Sequence, residues 1–488
     1  MEVLLFSKND NGGKTAMTLR ELDPKQGFSV KKIPLKVTKD RLVGNAGLGT
    51  IVDLFDKSPL SREFAKCLPK RVSNNSKGSY RLGLILLSSL IHGDDCLDDI
   101  QEELRENPSA EDFFRGKIPV SKTFGDYLRD FDDEHLDKLN RFMTEMGYEV
   151  RESLKRQLPE EFKPGEKPSF NLDSTPHEQS GDQIEGCAYN YQGKWCLNSE
   201  VVYDEMGICY AGILETGNTK PGIDGPRLLD QVLLPLRQKK INNPFEKVAH
   251  ISGDSAYAFE EFLKVCIKHG ASFTIAAHGN MNWEQEIPNI TEWQKWVYTD
   301  KEIKKFEKRN KPLPERYLGR YHWSPYWAPS LKFPVIIKKE WKTDPDFPES
   351  GSFNYHAVIS NEDLFTHSYQ QVYSRYFRRA NVENSIKESK TNFDAYHMPC
   401  LSFKANHAYL LFLLIAQNLL RWIALIHKPD KPHYAKKMRR KFIFNPGKLV
   451  THSRQVCLRV TEKFKEEVDR LVEGWQLNPE TNSAFSTG

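Results

Sequence analysis

Two aspartates in similar surroundings are the first candidates for chemistry in this sequence. Asp173 closes a short predicted strand in "SFNLDSTP", and Asp254 closes another in "KVAHISGDSAY". In an open sheet, sites commonly form in the crevice at the carboxyl ends of the strands. Two carboxylates that converge there repel each other unless a cation neutralises them. The pair therefore predicts a bound metal ion.

The rest of the composition favours a hard cation over zinc. The eight cysteines are scattered, with no C-x-x-C pair and no Cys/His cluster at zinc spacing, which predicts reduced thiols in a cytosolic protein. Carboxylate oxygens prefer Mg²⁺, with Mn²⁺ as a substitute. A third carboxylate would complete a site for two ions, roughly 3.5–4 Å apart, of the kind that promotes in-line attack on phosphorus.

Glu383, in the stretch "YFRRANVENSIKESK", is the best candidate for that third carboxylate. On a continuous helix, Tyr376, Arg379, Glu383 and Lys390 are spaced by 3, 4 and 7 residues and share one face. A face that holds an acid, two cations and an aromatic ring suits phosphates beside metal ions. The alternative is an ordinary solvated helix face with ion pairs between neighbouring turns.

Five regions must position these residues. A mainly helical region, 1–157, ends at a Pro/Gly/charge linker, after which the order β-β-β-α-β-α-β predicts a mixed sheet with packed helices over 168–279. A strand-rich, tryptophan-rich insertion covers 280–366. Helices return over 367–427, which includes the glutamate helix, and a basic helical region covers 428–488. The fold class is therefore α/β with helical regions at both ends.

Two regions are candidates for binding DNA. Short helices with tight turns in 1–157 suggest a helix-turn-helix unit, although a plain helical bundle has the same pattern. The segment 428–459 has one acid, Asp430, and suits a duplex backbone, although a solvated surface is the alternative. Its cations include Arg439 and Arg440, and the full set adds Lys428, Lys431, Lys436, Lys437, Lys441, Lys448, Arg454 and Arg459. The net charge of +4 hides this segment because the N-terminal helices are acidic.

The most apolar segment, 408–426, is predicted to be a buried helix. Its length suits a membrane span, but Gln417, Asn418 and Arg421 interrupt it. The N-terminus has no basic segment followed by a long apolar run, so we expect no secretory signal. A cytoplasmic protein with no membrane contact is the expectation. The final helix, 461–475, is a possible dimer contact.

Four motifs together resemble a known family. Tyr376-x2-Arg379-x3-Glu383-x6-Lys390 is similar to the Y-x2-R-x3-E-x6-K signature of bacterial insertion-sequence DDE transposases. "LDSTP" and "GDSAY" look like the two aspartate motifs of that group, and "ETGN", 215–218, is similar to the segment before the helix between them. The resemblance covers about 165–427, with the motifs in the expected order.

The resemblance implies an RNase H-like core with a β-rich insertion, and Asp173, Asp254 and Glu383 as metal ligands. It implies that Tyr376, Arg379 and Lys390 hold DNA phosphates. The implied reaction frees a 3′-OH at a transposon end, and this hydroxyl attacks target DNA. Excision through a hairpin needs aromatic rings to stack on flipped bases, and Trp323 and Trp327 are candidates, with a β core as the alternative.

The expected partner is double-stranded DNA, bound by a homodimer, with no small-molecule substrate. His177, just after "DST", is expected to form local hydrogen bonds rather than bind metal. "ETGN" lacks a basic residue before its glycine, which weakens any phosphate contact there. A nuclease that cuts without joining and an idle DNA-binding descendant of a transposase remain alternatives. The presence of all three acids argues against the idle protein.

Overall fold

A computed structural model describes residues 5–8, 14–17, 33, 35–71, 78–239, 246–343, 350–452 and 455–474, without the side chains of residues 5–8, 14–17, 378, 380, 381 and 452. Two compact units divide at residue 41. In the first unit, β1 (Leu5–Lys8) and β2 (Lys14–Met17) form an antiparallel pair. The second unit, Leu42–Gly488, contains every candidate site residue. Arg454 and Trp475 lie outside the described residues.

The N-terminal region of the second unit is helical, as the sequence predicts. After β3 (Arg41–Val43) come α1 (Leu48–Asp56), α2 (Pro59–Lys66), α3 (Ser79–His92), α4 (Ala110–Phe113), α5 (Ser121–Arg129) and α6 (Asp133–Gln157). The helix α3 is apolar on nearly every side and ends at Gly93, whose φ of 108° suits glycine. Both faces of this helix are therefore covered by other elements.

The region 168–279 contains the predicted order of strands and helices, with one additional strand of two residues that was not predicted. Its elements are β4 (Ser169–Glu178), β5 (Ala188–Tyr189), β6 (Trp195–Asp204), β7 (Cys209–Glu215), α7 (Gly225–Lys239), β8 (His250–Gly253), α8 (Glu260–His269) and β9 (Ser272–Ala276). Strand β8 is parallel to both β4 and β9, whereas β6 is antiparallel to β4 and β7. The sheet is therefore mixed, as predicted.

Helix α6 joins the helical region to this sheet. The Tyr210 ring of β7 packs so closely on Gly147 of α6 that a Cβ at that position would lie 2.8 Å from the ring. The Tyr210 hydroxyl donates to the Gly147 carbonyl over 2.9 Å, and the Gly212 N–H donates to Asn140 Oδ1 over 2.9 Å. These contacts fix the helix against β7 of the sheet.

The insertion is strand-rich but extends the core sheet. It contains α9 (Trp283–Glu286), β10 (Gln294–Lys295), α10 (Asp300–Glu307), β11 (Arg316–Trp323), β12 (Phe333–Thr343) and β13 (Gly351–Ser360). Strand β13 pairs with β9, so one sheet of ten strands runs β10-β11-β12-β13-β9-β8-β4-β6-β5, with β7 paired to β6. The insertion and the core therefore share a continuous backbone hydrogen-bond network.

Three helices follow the insertion: α11 (Tyr369–Tyr376), α12 (Ala380–Asn392) and α13 (Phe403–His427). Within the described residues, α13 is the one helix long and apolar enough to cross a membrane, yet 89% of its most apolar window is buried inside the protein. Its polar residues bond to the sheet: Gln417 accepts from Tyr203 over 2.8 Å, and Asn418 bonds to both backbone groups of Cys209 over 2.7 Å. The prediction of a buried core helix is confirmed.

The C-terminal region is not wholly helical, and in this the prediction for 428–488 is wrong. Between α14 (Ala435–Met438) and α15 (Glu462–Gly474) lies an antiparallel pair, β14 (Gly447–His452) and β15 (Gln455–Arg459), in a three-stranded sheet with β3. The two strands contain the β-branched residues Val450, Thr451 and Val456, and Leu449 is buried. β-branched residues are enriched in strands.

Candidate active site

Asp173 lies on β4, and Asp254 directly follows the neighbouring parallel strand β8. The register of β4 and β8 pairs Ser169 with His250 and Asn171 with Ser252. Continued for two residues, this register brings Asp173 close to Asp254, and the charge of Asp254 contributes to the raised pKa of Asp173. The two aspartates, 81 positions apart in the sequence, therefore meet at one edge of the parallel part of the sheet.

Asp173 does not end its strand, contrary to the prediction. Strand β4 continues to Glu178 because its other edge pairs with β6 over the whole length. The parallel partner β8 stops at Gly253, so Asp173 lies where one neighbour ends and the other continues. The crevice is thus formed by the end of β8 alone.

The loop after β8 holds Asp254 through the backbone. The Asp254 carboxylate accepts from the Ala256 N–H over 2.8 Å and caps a short 3₁₀ turn, Ser255–Tyr257. A Cβ on Gly253 would lie 2.8 Å from the Tyr257 ring, so the glycine and tyrosine of "GDSAY" pack together. The motif thereby fixes the direction in which the aspartate leaves the sheet.

The Asp173 carboxylate lies in a largely buried position that disfavours its charged form. Its side chain is 16% exposed. Burial raises the pKa of Asp173 to about 6; the Arg379 guanidinium opposes this shift, and the carboxylates of Asp254 and Glu383 add to it. The carboxylate would return to its ordinary pKa range if a cation were bound beside it.

Glu383 reaches the same place from α12, and Arg379 connects it with Asp173. Nη2 of Arg379 lies 3.7 Å from Oδ2 of Asp173 and 3.6 Å from Oε1 of Glu383. The glutamate side chain is 61% exposed, whereas Arg379 is 15% exposed. The structure therefore brings together the three predicted acids, with one guanidinium between two of them.

The predicted continuous helix from Tyr376 to Lys390 is wrong. Helix α11 ends at Tyr376, a 3₁₀ turn covers Phe377–Arg379, and α12 starts at Ala380. Tyr376 still contacts Arg379, whose Nη1 donates to its hydroxyl over 3.2 Å, and the Tyr376 ring packs on His356 at 5.1 Å. Tyr376, Arg379 and Glu383 still lie together, because the 3₁₀ turn keeps their side chains on the same side of the chain.

Lys390 bonds to the backbone of β4. Its Nζ donates to the Pro176 carbonyl of β4 over 2.7 Å, and burial lowers the pKa of Lys390 to about 8. The lysine thus ties α12 to the strand that carries Asp173. A phosphate contact for Lys390, which the resemblance implies, stays a prediction.

The donor chemistry fits Mg²⁺ or Mn²⁺, since all three candidate ligands are carboxylates. Their arrangement is looser than a formed site: within the described ranges, no group of three or more His, Cys, Asp or Glu is placed to hold a metal ion. Arg379 supplies the local positive charge instead. Its Nε is buried and has no hydrogen-bond partner among the described residues, so it retains a free donor.

Two residues near the site carry no signal that the sequence analysis used. Glu200 lies opposite Ser174 in the β4–β6 register and is fully buried, and burial raises its pKa to about 8. Tyr257 is also fully buried, and a Cβ on Gly225 would lie 2.7 Å from Glu200 Oε1 and 2.9 Å from the Tyr257 ring. The signal available in the sequence was a glutamate, Glu200, inside a strand that is covered on both faces.

The histidine of "DSTPH" is a structural residue, as predicted. His177 bonds through Nδ1 to the Ala395 carbonyl and through Nε2 to Ser199 Oγ at 2.7 Å. Burial lowers its pKa to about 3, so the ring is neutral. It joins β4 to the segment after α12.

The tryptophans proposed for base stacking are partly buried. Trp323 stacks on Phe333 with ring centroids 6.3 Å apart, and Trp327 lies under Lys264 Nζ at 5.3 Å. Both pack against the main core. These contacts agree with the alternative of a β core; a role in stacking stays a prediction.

The two arginines predicted to contact DNA differ completely in the exposure of their side chains. Arg440 is exposed, with Lys436 and Lys437 also exposed nearby. Arg439 is 6% exposed and donates to three backbone carbonyls. A side chain in this position cannot reach a duplex, so we leave Arg439 out of the DNA surface.

Comparison with known proteins agrees with the geometry. The sequence model of a family described as "Transposase DDE domain group 1" matches residues 25–472. A search of curated proteins finds no match. The family match covers nearly the whole chain, including the three acids at the sheet edge. The chain therefore belongs to the transposase DDE domain family, group 1.

Proposed function

We propose that the chain is the transposase of a bacterial insertion sequence, which binds the inverted repeats of its element and catalyses DNA cleavage and strand transfer. One observation carries this proposal: Asp173 lies close to Asp254, and Arg379 links Asp173 to Glu383. Family membership supports the transposase role, and an RNase H-like arrangement of the core fits the mixed sheet.

Asp173, Asp254 and Glu383 are the residues that would hold two Mg²⁺ ions, with Mn²⁺ as a substitute. When bound, the ions would neutralise the carboxylates and stabilise charge on the attacking and leaving oxygens at phosphorus. Arg379 then has its charge available for a DNA phosphate, which its planar guanidinium can bind through two N–H groups. Tyr376 orients the guanidinium through its hydroxyl.

The reaction has two phosphoryl transfers. Water attacks the phosphodiester at the element end, the bond to the 3′ oxygen breaks, and a 3′-OH is released. That hydroxyl attacks a phosphodiester of target DNA: a new P–O bond joins element to target, the bond from phosphorus to the 3′ oxygen of the target strand breaks, and a 3′-OH is left on the target. Two ends must be held together, so we propose a homodimer that acts on double-stranded DNA in the cytoplasm, with no small-molecule substrate.

The test uses Asp173→Asn, Asp254→Asn and Glu383→Gln with duplexes that carry the repeats flanking the gene. We expect each variant to bind these ends like the wild type and to lose cleavage in Mg²⁺ by at least about 10³-fold, because metal and nucleophile positioning supply most of the rate. Wild-type cleavage by any variant would remove that residue from the site.

Product analysis separates the alternatives. A wild-type protein that cleaves but forms no joined product would be a nuclease. One that binds the ends without cleaving would be an idle DNA-binding descendant. Joined products that depend on all three acids would establish the transposase.

A further inference from the structure

Arg439 lies at the junction of three distant parts of the chain. Its Nε donates to the Ile91 carbonyl and its Nη2 to the Leu90 carbonyl, both over 2.9 Å. Its Nη1 donates to the Asn392 carbonyl, and the guanidinium lies 4.5 Å from the centre of the Phe393 ring. The side chain is therefore fully used by contacts inside the protein.

The three carbonyls belong to two helix ends. Leu90 and Ile91 lie in the last turn of α3, and Asn392 is the last residue of α12. Carbonyls in a last helical turn lack donors within the helix, and positive charge there opposes the negative end of the helix dipole. One guanidinium thus caps a helix of the N-terminal region and the helix that carries Glu383.

Two further contacts fix α12 along its length. Glu388 is 7% exposed, and its Oε1 accepts from the Ala435 N–H of α14 over 2.6 Å. Gln417 of α13 donates to the Ser385 carbonyl over 2.9 Å. Ser385 and Glu388 lie between Glu383 and the end of α12 that Arg439 holds. The position of Glu383 therefore depends on these two contacts together with those of Arg439.

We propose that Arg439 is a positioning residue for Glu383: it fixes the glutamate helix to the N-terminal helical region, so that this region forms part of the frame of the metal site. The proposal rests on the proposed function for the role of Glu383. It predicts that the N-terminal helices influence metal binding even though they contribute no ligand.

The test measures Mn²⁺ binding to the full-length protein without DNA, by electron paramagnetic resonance, together with hydrogen exchange of α12 amides in the metal-free protein. For Arg439→Gln we expect Mn²⁺ affinity to fall by about 10-fold, within the range for residues that orient metal ligands from outside. We expect faster exchange over residues 380–392. Arg439→Lys retains the charge, and we expect its Mn²⁺ affinity and its α12 exchange rates to lie between those of the wild type and those of Arg439→Gln.

Two controls isolate positioning from lost stability. Arg440→Gln removes the neighbouring exposed charge, and we expect unchanged Mn²⁺ affinity and unchanged exchange. Leu86→Ala weakens the core at α3, where Leu86 is 1% exposed, without touching α12. If Arg439→Gln and Arg439→Lys bind Mn²⁺ no more weakly than Leu86→Ala and exchange α12 amides at the wild-type rate, the proposal is overturned. A wild-type protein that binds no Mn²⁺ would contradict the proposed function, while the exchange data would still decide whether Arg439 fixes α12.

Discussion

Nη2 of Arg379 lies 3.7 Å from Oδ2 of Asp173, and the same nitrogen lies 3.6 Å from the carboxylate of Glu383. A guanidinium thus takes the place between acids where the proposed function requires divalent cations. Since Arg379 is only 15% exposed, its charge is weakly screened by water. The Arg379 guanidinium is therefore an internal counter-charge in the metal-free protein, and it must move away from the carboxylates when ions bind.

Removal of that counter-charge should affect metal binding and catalysis in opposite directions. For Arg379→Gln we expect Mn²⁺ affinity to rise roughly threefold or more, because a competing cation is lost. DNA cleavage should fall by about 10- to 100-fold, since a charged hydrogen bond to phosphate contributes about 1.5–3 kcal/mol. Calorimetry and single-turnover cleavage measure the two effects.

Lys387→Gln is the matched control, because Lys387 is an exposed cation on the same helix as Glu383. It should leave both quantities near their wild-type values. Equal or weaker Mn²⁺ binding by Arg379→Gln would contradict the counter-charge role.

Glu200 should make the protein less stable as pH rises. Burial raises the pKa of Glu200 in the folded protein to about 8 from an ordinary value of 4.5, so the folded state binds a proton that the unfolded state has released over this range. The free energy of unfolding should therefore fall between about pH 4.5 and pH 8. Glu200→Gln mimics the protonated form, and we expect it to be more stable than the wild type at pH 8, by about 1–4 kcal/mol.

Urea denaturation at pH 5 and pH 8 measures this difference. At pH 5 the two proteins should have similar stability, because the wild-type carboxyl group is then neutral when folded. If Glu200→Gln differs from the wild type in free energy of unfolding by the same amount at both pH values, the substitution acts through packing and not through ionisation of Glu200.

The exposed cations near α14 should make DNA binding sensitive to salt. Replacement of Lys436, Lys437 and Arg440 by Gln should weaken binding of the element ends and reduce the slope of log affinity against log salt by about 2–3, since each phosphate contact contributes about 0.9. Fluorescence anisotropy at several salt concentrations gives the slope.

Lys268→Gln, at the far end of α8, is a control that removes an exposed cation elsewhere. It should not change the slope. A triple variant with the wild-type slope would place the duplex on another surface.

Asn418 should be essential for the buried contact between α13 and the sheet. It accepts from the Cys209 N–H and donates to the Cys209 carbonyl, and it is fully buried. Asn418→Leu leaves both backbone groups buried without a partner, at a cost of about 2–5 kcal/mol. The neighbouring Leu419→Met should cost less than about 1.5 kcal/mol. Equal losses in urea denaturation would show that the hydrogen bonds contribute little.

The parts of the site that the sequence predicted depend on local pattern. The strand before Asp254 and the order of most core elements follow from periodicity and turn residues. The end of β4 did not, because β6, which pairs with it to Glu178, starts 22 residues beyond Asp173. Pairing between distant segments leaves little local trace.

Charge was the least predictable property. Arg439 and Arg440 are neighbours in a basic run, yet the carbonyls that bury Arg439 lie 348 and 349 residues away in sequence. Lys390 likewise finds its partner 214 residues away at Pro176. In the sequence, a cation inside a basic run looks the same whether its side chain is exposed to water or bonded to the end of a helix.

The central position of α13 has a consequence for synthesis of the protein. Helices α3, α5 and α6 and strand β7 all pack against this helix, which is completed only at residue 427. A nascent chain that has emerged as far as β9 has both aspartates but lacks Glu383 and the helix that closes its core. A chain that ends before α13 would therefore have an open core, and under the proposed function a chain that ends before residue 383 would lack metal-dependent DNA cleavage.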